Sequence, residues 1–153
     1  MSSYACRICH SSDYELVLDY GSVVPADAFL LSSKAIENEQ RLPLTLVICK
    51  ECRHLQTREV LDPAMLFSEY VWETGIPASI HRYCQEFADA VLVRAGNPEM
   101  PSIFEIASND GTMLKEFKSR GSEVLGVDPA SNIAQKANAA GIPTRVDFFG
   151  EEV

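Results

Sequence analysis

Two pairs of cysteines are the residues whose type and spacing point most directly to chemistry. Cys6 and Cys9 form one C-x2-C pair, and Cys49 and Cys52 form a second. Each pair can present two thiolates from a tight turn, and four thiolates complete the tetrahedral coordination that Zn²⁺ prefers. Because four protein ligands leave no open position for a substrate, the spacing predicts a structural zinc site.

Three other roles for these cysteines must be weighed against zinc. Free thiols are common in protein cores, although two repeated pairs favour a metal. Residues 6–10 also match the C-x-x-C-H signature of covalent haem attachment, but haem would leave Cys49 and Cys52 without a role. A redox C-x-x-C pair normally follows a strand and opens a helix, which neither pair is expected to do. Zinc therefore remains the favoured interpretation.

The remaining cysteine and the neighbouring histidines receive simpler interpretations. Cys84 and Phe87 lie on the apolar stripe of an expected helix, where a core role is favoured. His10 and His54 each lie beside a cysteine pair and could replace a ligand. Since four cysteines already suffice, we interpret both histidines as solvated or supporting groups.

A second chemical pattern is the segment FEIASNDGT at residues 104–112, followed by Asp128 at the end of the next expected strand. Rossmann-type sheets bind nucleotides at such a strand-to-helix turn, and an acidic residue on the next strand can accept hydrogen bonds from ribose hydroxyls. The turn lacks the G-x-G-x-x-G pyrophosphate fingerprint, and Glu105 or Asp110 would repel phosphate. It is better suited to the cationic amino-acid end of S-adenosylmethionine (SAM). The simpler alternative is that Gly111 closes a turn and Asp128 caps a helix.

The periodicity of the sequence predicts an α/β protein in three parts. Residues 1–62 carry short apolar runs broken by Gly and Pro, which indicates a zinc-ribbon-like β region. Residues 63–98 form a helical connector, whose longer helix begins after Pro77. Residues 99–153 alternate strand and helix, which predicts the first half of a Rossmann-like parallel sheet. The expected strands are 103–107, 123–127 and 144–146, and the expected helices are 112–120 and 133–140.

Composition narrows the classes of partner. Of the 153 residues, 46% are hydrophobic and 23% charged, as in ordinary water-soluble domains. The formal net charge of -9 would repel both nucleic acid and anionic membranes. We find no secretory signal pattern and no run of ~18 apolar residues. These features lead us to expect a cytoplasmic protein that binds neither nucleic acid nor a membrane.

The segments EIASNDGTMLKEFKSRG and VLGVDPASNIAQKANAAGIPT closely resemble the C-methyltransferases that act on nucleotide-linked deoxysugars. The N-terminal segments CRIC, VVPADAFL, CKEC and HLQT are similar to the zinc-binding domain of that family. The resemblance implies a SAM-dependent methyltransferase, and it implies that residues 99–153 are the first half of a Rossmann-like class I methyltransferase sheet. It also implies a set of cofactor-binding residues, namely Glu105, Ala107, Ser108, Asn109, Gly111 and Asp128. Tyr70 and His81 fall in a segment that approaches the cofactor in the family, where Trp72 and Thr74 depart from the usual aromatic and serine.

Length is the main departure from that family, whose members continue beyond the equivalent of Val153. We therefore expect the catalytic residues and the sugar site to lie past this point. The chain alone should be inactive, and its open sheet edge should pair with the missing C-terminal half or with a second copy. Two alternatives remain open: another small-molecule methyltransferase with the same N-terminal architecture, and a non-catalytic zinc-ribbon interaction module.

Overall fold

The computed structural model describes residues 4–26, 36 and 39–150. The VVPADAFL segment, at residues 23–30, lies partly outside the described residues. The chain divides into two compact units, Met1–Asp62 and Pro63–Val153, which are described separately. Among the described residues, no helix has the length and apolar character needed to span a membrane.

The first unit is built on a three-stranded antiparallel sheet. Its strands are β1 (Tyr14–Val23), β2 (Leu42–Cys49) and β3 (Leu55–Thr57), in the order β1-β2-β3. β2 alternates between partly and fully buried positions, with Val47 and Cys49 inaccessible to solvent. Since β2 ends at Cys49 and β3 returns beside it, the hairpin between them carries the second cysteine pair.

The second unit contains four helices and a three-stranded parallel sheet of order β4-β5-β6. Its elements in chain order are α1 (Pro63–Phe67), α2 (Ala78–Arg94), β4 (Ser102–Ile106), α3 (Thr112–Ser119), β5 (Glu123–Asp128), α4 (Ser131–Ala139) and β6 (Thr144–Val146). The predicted α/β class is confirmed, and each predicted strand and helix of residues 99–153 is present to within two residues at either end.

Helices cover one face of this sheet. Leu114 from α3 and Ala137 from α4 pack with Ile142, and Ile103 and Val124 from the sheet join them. The opposite face exposes the alternate strand residues, which are Phe104, Ile106 and Leu125. Within the described residues, β4 has a strand partner on one side only, because β5 pairs with it and lies between it and β6.

The long helix α2 lies in the same compact unit as residues 99–153. We expected Phe87 on its buried stripe, but Phe87 is 41% exposed whereas Cys84 and Ala88 are fully buried. The small Cys84 and Ala88 side chains let the helix approach its neighbours closely, while Phe87 lies at the margin and meets the ring of Phe117 edge-on. The division into three functional domains remains a prediction.

Candidate functional site

The two cysteine pairs lie on turns of the same backbone geometry. The His10 amide donates to the Cys6 carbonyl over 2.9 Å, and the Arg53 amide donates to the Cys49 carbonyl over 3.0 Å. His10 and Arg53, each directly after the second cysteine of a pair, both adopt left-handed φ values of 61° and 62°. His10 therefore occupies the turn position that Arg53 occupies in the other pair, which gives the residue after C-x-x-C a conformational role.

The four sulfur atoms converge on one point. The Sγ atoms of Cys6 and Cys52 are 3.6 Å apart, as are those of Cys9 and Cys49, and all four lie within 4.8 Å of one another. A tetrahedron of Zn–S bonds of about 2.3 Å has edges of roughly 3.8 Å. Although 39 residues lie between Cys9 and Cys49 in the sequence, the two pairs meet in space. The donor set and its spacing fit a closed structural zinc site.

The electrostatics of this cluster also favour a cation. Backbone amides of Cys9 and Ile8 hydrogen-bond to Cys6 and lower the pKa of its thiol to about 6. At Cys52 the His54 amide acts in the same direction, but burial and the neighbouring thiols outweigh it and raise the pKa to about 12. One thiolate thus disfavours ionisation of the next, and a divalent cation would remove that conflict.

Gln56 is a structural element of this site that the sequence did not identify. It lies on β3 with only 4% of its surface exposed. Its Oε1 accepts a hydrogen bond from the Arg7 amide over 3.2 Å, and its Nε2 donates to the Tyr4 hydroxyl over 2.6 Å. Gln56 therefore joins β3 to the first cysteine turn, a role that a single polar residue in a short strand does not reveal in advance.

The turn after β4 is held to the end of β5 by one carboxylate. Asp128 Oδ2 accepts a hydrogen bond from the Asn109 amide and Oδ1 accepts one from the Ala130 amide, each over 2.8 Å. Ala107 and Asn109 have φ values of 57° and 52°, in the left-handed region that non-glycine residues seldom adopt. Asp128 thus stabilises this unusual turn and also the start of α4.

Two residues expected at the cofactor direct their side-chain positions into the protein. Gly111 has φ of 77°, and a Cβ there would lie 2.9 Å from Ile142 Cγ2. Ser108 is 3% exposed, and its Oγ faces Gly126, where an added Cβ would collide with it. Any contact from Ser108 or Gly111 to a ligand would therefore use backbone atoms.

Glu105 places a partly buried carboxyl group behind the same turn. Its Oε2 is buried and has no hydrogen-bond partner among the described residues. Burial raises the pKa of this carboxyl to about 7, and the like charges of Asp110 and Asp128 contribute to the rise. An unpartnered carboxylate beside two others favours a cationic group over a phosphate.

The segment 68–76 lies against this turn and is anchored by side chains that belong to the turn. Asn109 Oδ1 accepts a hydrogen bond from the Thr74 amide over 2.8 Å, and Asn109 Nδ2 donates to the Trp72 carbonyl over 3.0 Å. Asp110 Oδ2 accepts a hydrogen bond from the Gly75 amide over 2.8 Å. Trp72 and Thr74, where the chain departs from the family pattern, thus contact the turn through backbone atoms.

The same segment is also anchored to α4 and α2. Asn132 Oδ1 accepts from the Tyr70 amide over 3.0 Å, and Asn132 Nδ2 donates to the Tyr70 carbonyl over 2.7 Å. His81 Nε2 lies 2.8 Å from the Gly75 carbonyl oxygen, to which its N–H donates. Lys136 forms a 2.6 Å ion pair with Glu73. The structure therefore brings the segments of Tyr70 and His81 to the 107–112 turn, whereas the anchoring role of Asn132 was not evident from sequence.

Comparisons with known proteins relate the chain to zinc-binding domains and methyltransferases. Residues 6–67 match the family model described as "Putative zinc binding domain". The chain is 32% identical over 148 residues to the C-methyltransferase NovU of Streptomyces niveus, an alignment that includes 97% of this chain and 35% of NovU. The chain is similar to the N-terminal portion of a C-methyltransferase. The predicted resemblance to C-methyltransferases with a zinc-binding domain is confirmed over that portion, and the chain spans about a third of the length of this curated relative.

Solved structures give a weaker likeness. Two structures of the plantazolicin methyltransferase BpumL, both in complex with S-adenosylhomocysteine (SAH) and one also with a monoazolic desmethylPZN analog, align at 17% identity. Each alignment covers 46% of this chain and 30% of BpumL, with a TM-score of 0.37. That score is too low to establish a shared fold.

Proposed function

We propose that the chain is the N-terminal part of a SAM-dependent methyltransferase that methylates a carbon of a nucleotide-linked keto-deoxysugar. The observation that carries this proposal is the 32% identity to a C-methyltransferase across 97% of the chain. The geometry of the turn after β4 supports it independently, because the turn combines close backbone approach with concentrated negative charge.

The arrangement of the second unit supports a SAM site. We interpret β4, β5 and β6 as the first half of a Rossmann-like sheet, in which ligands bind beyond the carboxyl ends of the strands. Bound SAM would supply an electrophilic methyl group on a sulfonium. The unpartnered Glu105 carboxylate and the neighbouring Asp110 fit the cationic amino-acid end of such a cofactor better than they fit a diphosphate.

Each expected cofactor residue then has a defined contribution. Asp128 retains acceptor capacity on both oxygens for ribose hydroxyls, since each oxygen accepts one amide in the structure. Asn109 and Ala107 hold the turn in its left-handed course, while Ser108 and Gly111 offer backbone groups. Tyr70 and His81 would border the site from the 68–76 segment and α2.

The zinc site is structural in this proposal. Carbon methylation requires removal of a proton beside a keto group and in-line approach of the resulting enolate to the methyl group. We assign no residue of this chain to that step. A cytoplasmic location and a nucleotide-sugar substrate are the remaining expectations that follow from this class of enzyme.

The uncovered side of the sheet supports an association in the complete enzyme. Phe104, Ile106 and Leu125 are 47%, 53% and 46% exposed, next to the β4 edge. The open edge favours pairing with a further strand, and the apolar face beside it favours packing against further helices. We propose that a longer polypeptide supplies both, with self-association of the chain as the competing outcome.

Isothermal titration calorimetry with SAM, SAH and NAD tests the proposal. We expect SAM and SAH to bind and NAD to bind more weakly, because no pyrophosphate cradle is present. Asp128→Ala should weaken SAH binding, with Glu99→Gln, which alters an exposed acidic residue, as the control. Tighter binding of NAD, or equal SAH affinity in both variants, would count against a SAM site.

A further inference from the structure

We infer that Asn109 and Asp110 are positioning residues that hold the 68–76 segment against the turn after β4, so that this segment forms one wall of the cofactor site. The inference rests on the proposed function for the identity of the ligand. The anchoring itself rests on hydrogen bonds that do not involve a ligand.

Both side chains hydrogen-bond directly to the backbone of the segment. Asn109 engages both its oxygen and its nitrogen with the segment. Asp110 accepts from the Gly75 amide through Oδ2 and from the Thr112 amide through Oδ1, at 2.8 and 3.1 Å. Asp110 therefore links the segment directly to the first turn of α3.

A close approach at Gly75 shows how tightly the segment lies on the turn. A Cβ at Gly75 would lie 2.6 Å from Thr112 Oγ1 and 2.9 Å from Asp110 Oδ2. Ordinary van der Waals contact would need more than 3.4 Å. Any side chain at position 75 must therefore push the segment away from the turn or displace Asp110.

The backbone of Asn109 is fixed on its other side. Its amide donates to Asp128, while its side chain reaches Trp72 and Thr74. These bonds hold the Asn109 backbone at its φ of 52° and fix the direction of its side chain. The carboxylate expected to meet the ribose and the segment expected to border the cofactor are thus joined through Asn109.

The anchors contact the segment only through backbone atoms of Trp72, Thr74 and Gly75. The side chains at positions 72 and 74 consequently remain free to differ without loss of the anchoring. This accounts for how Trp72 and Thr74 can replace the residues usual in the resembling family. It also assigns Asn109 a structural task that substitution at position 72 or 74 leaves intact.

The experiment uses the intact chain and three variants. Gly75→Ala introduces a clash with Thr112 Oγ1 and Asp110 Oδ2 without removing any group expected to touch the cofactor. Asn109→Gly removes the anchoring side chain and keeps a residue that tolerates a left-handed φ. Gly150→Ala is the matched control, since a Cβ there meets nothing within 4 Å. Amide hydrogen exchange at Thr74 and Gly75 reports the anchoring, and acrylamide quenching of Trp72, the single tryptophan, reports the segment optically.

We expect amide exchange at Thr74 and Gly75 to accelerate about tenfold or more in Gly75→Ala and Asn109→Gly, as the loss of one or two hydrogen bonds implies. Trp72 should become more accessible to quencher, and SAH affinity should fall by a similar factor. The Gly150→Ala control should match the wild type in all three measurements.

The outcomes separate the two proposals. Unchanged exchange in Asn109→Gly would overturn the anchoring. Faster exchange in Gly75→Ala with unaltered SAH affinity would overturn the role of the segment as a wall of the site. A wild-type chain that binds no SAH would overturn the proposed function and the wall together, whereas the exchange data would still decide the anchoring.

Discussion

The amide of Asn109 and the Oδ2 atom of Asp128 are joined by a 2.8 Å hydrogen bond that connects the turn after β4 to the end of β5. Asp128 is only 6% exposed, and its other oxygen accepts the Ala130 amide. The carboxylate therefore organises two neighbouring turns through its own hydrogen bonds. A residue expected to bind ribose also maintains the fold around the site.

Asp128→Ala should accordingly destabilise the second unit as well as weaken SAH binding. The buried Ala130 amide and the partly buried Asn109 amide would lose their acceptor, at a cost of about 1–3 kcal/mol in the free energy of unfolding. Urea unfolding followed by the fluorescence of Trp72, which lies in this unit, measures the effect. Equal stability of Asp128→Ala and the Glu99→Gln control would show that the amides find other partners.

Glu105 should make the second unit less stable as pH rises. Its pKa increases from 4.5 to about 7 on folding, so the folded state holds this proton more tightly than the unfolded state. The contribution to stability is complete below the unfolded pKa and is lost as pH rises through about 7. Glu105→Gln should flatten the dependence of the urea midpoint on pH between roughly 5 and 8. If the urea midpoint of Glu105→Gln depended on pH as it does in the wild type, Glu105 would be excluded as the source of the pH dependence.

The contact between Ser108 and Gly126 should be sensitive to a single methyl group. A Cβ at Gly126 would collide with Ser108 Oγ and lie 2.8 Å from Ser108 Cβ. We expect Gly126→Ala to destabilise the second unit by about 1–3 kcal/mol, as for other overpacked cores. Adding Ser108→Gly should restore part of the loss, because it removes both atoms. Thermal unfolding of the single and double variants tests the pair, and strictly additive losses would refute the collision.

The four-cysteine cluster should bind about one zinc per chain. Cys49→Ser combined with Cys52→Ser should abolish the metal, while Cys84→Ala, which alters a buried cysteine outside the cluster, should retain it. Elemental analysis by mass spectrometry measures the content. Since binding energy is folding energy in small metal sites, a chelator should unfold the first unit before the second. Full zinc content in the double variant would disprove the assignment.

Local patterns determined much of this protein. The two C-x2-C pairs indicated a metal cluster because each turn is specified by residues close in sequence. The alternation of strand and helix patterns in residues 99–153 predicted the elements found there, because the spacing of hydrophobic residues is a local property of the sequence. The resemblance to C-methyltransferases likewise lay in short contiguous segments and was confirmed by the similarity to NovU. The roles of the expected cofactor residues stay predictions.

Only the tertiary structure decided which distant groups meet. Asn109 and Asp110 hydrogen-bond to a segment about 35 residues earlier, and Gln56 reaches the first cysteine turn from β3. The burial of Ala88 in place of Phe87 likewise depends on how closely α2 approaches its neighbours. Propensity and periodicity describe a segment alone, whereas a side-chain hydrogen bond or a close helix contact depends on where packing places the partner. That placement was not contained in either segment by itself.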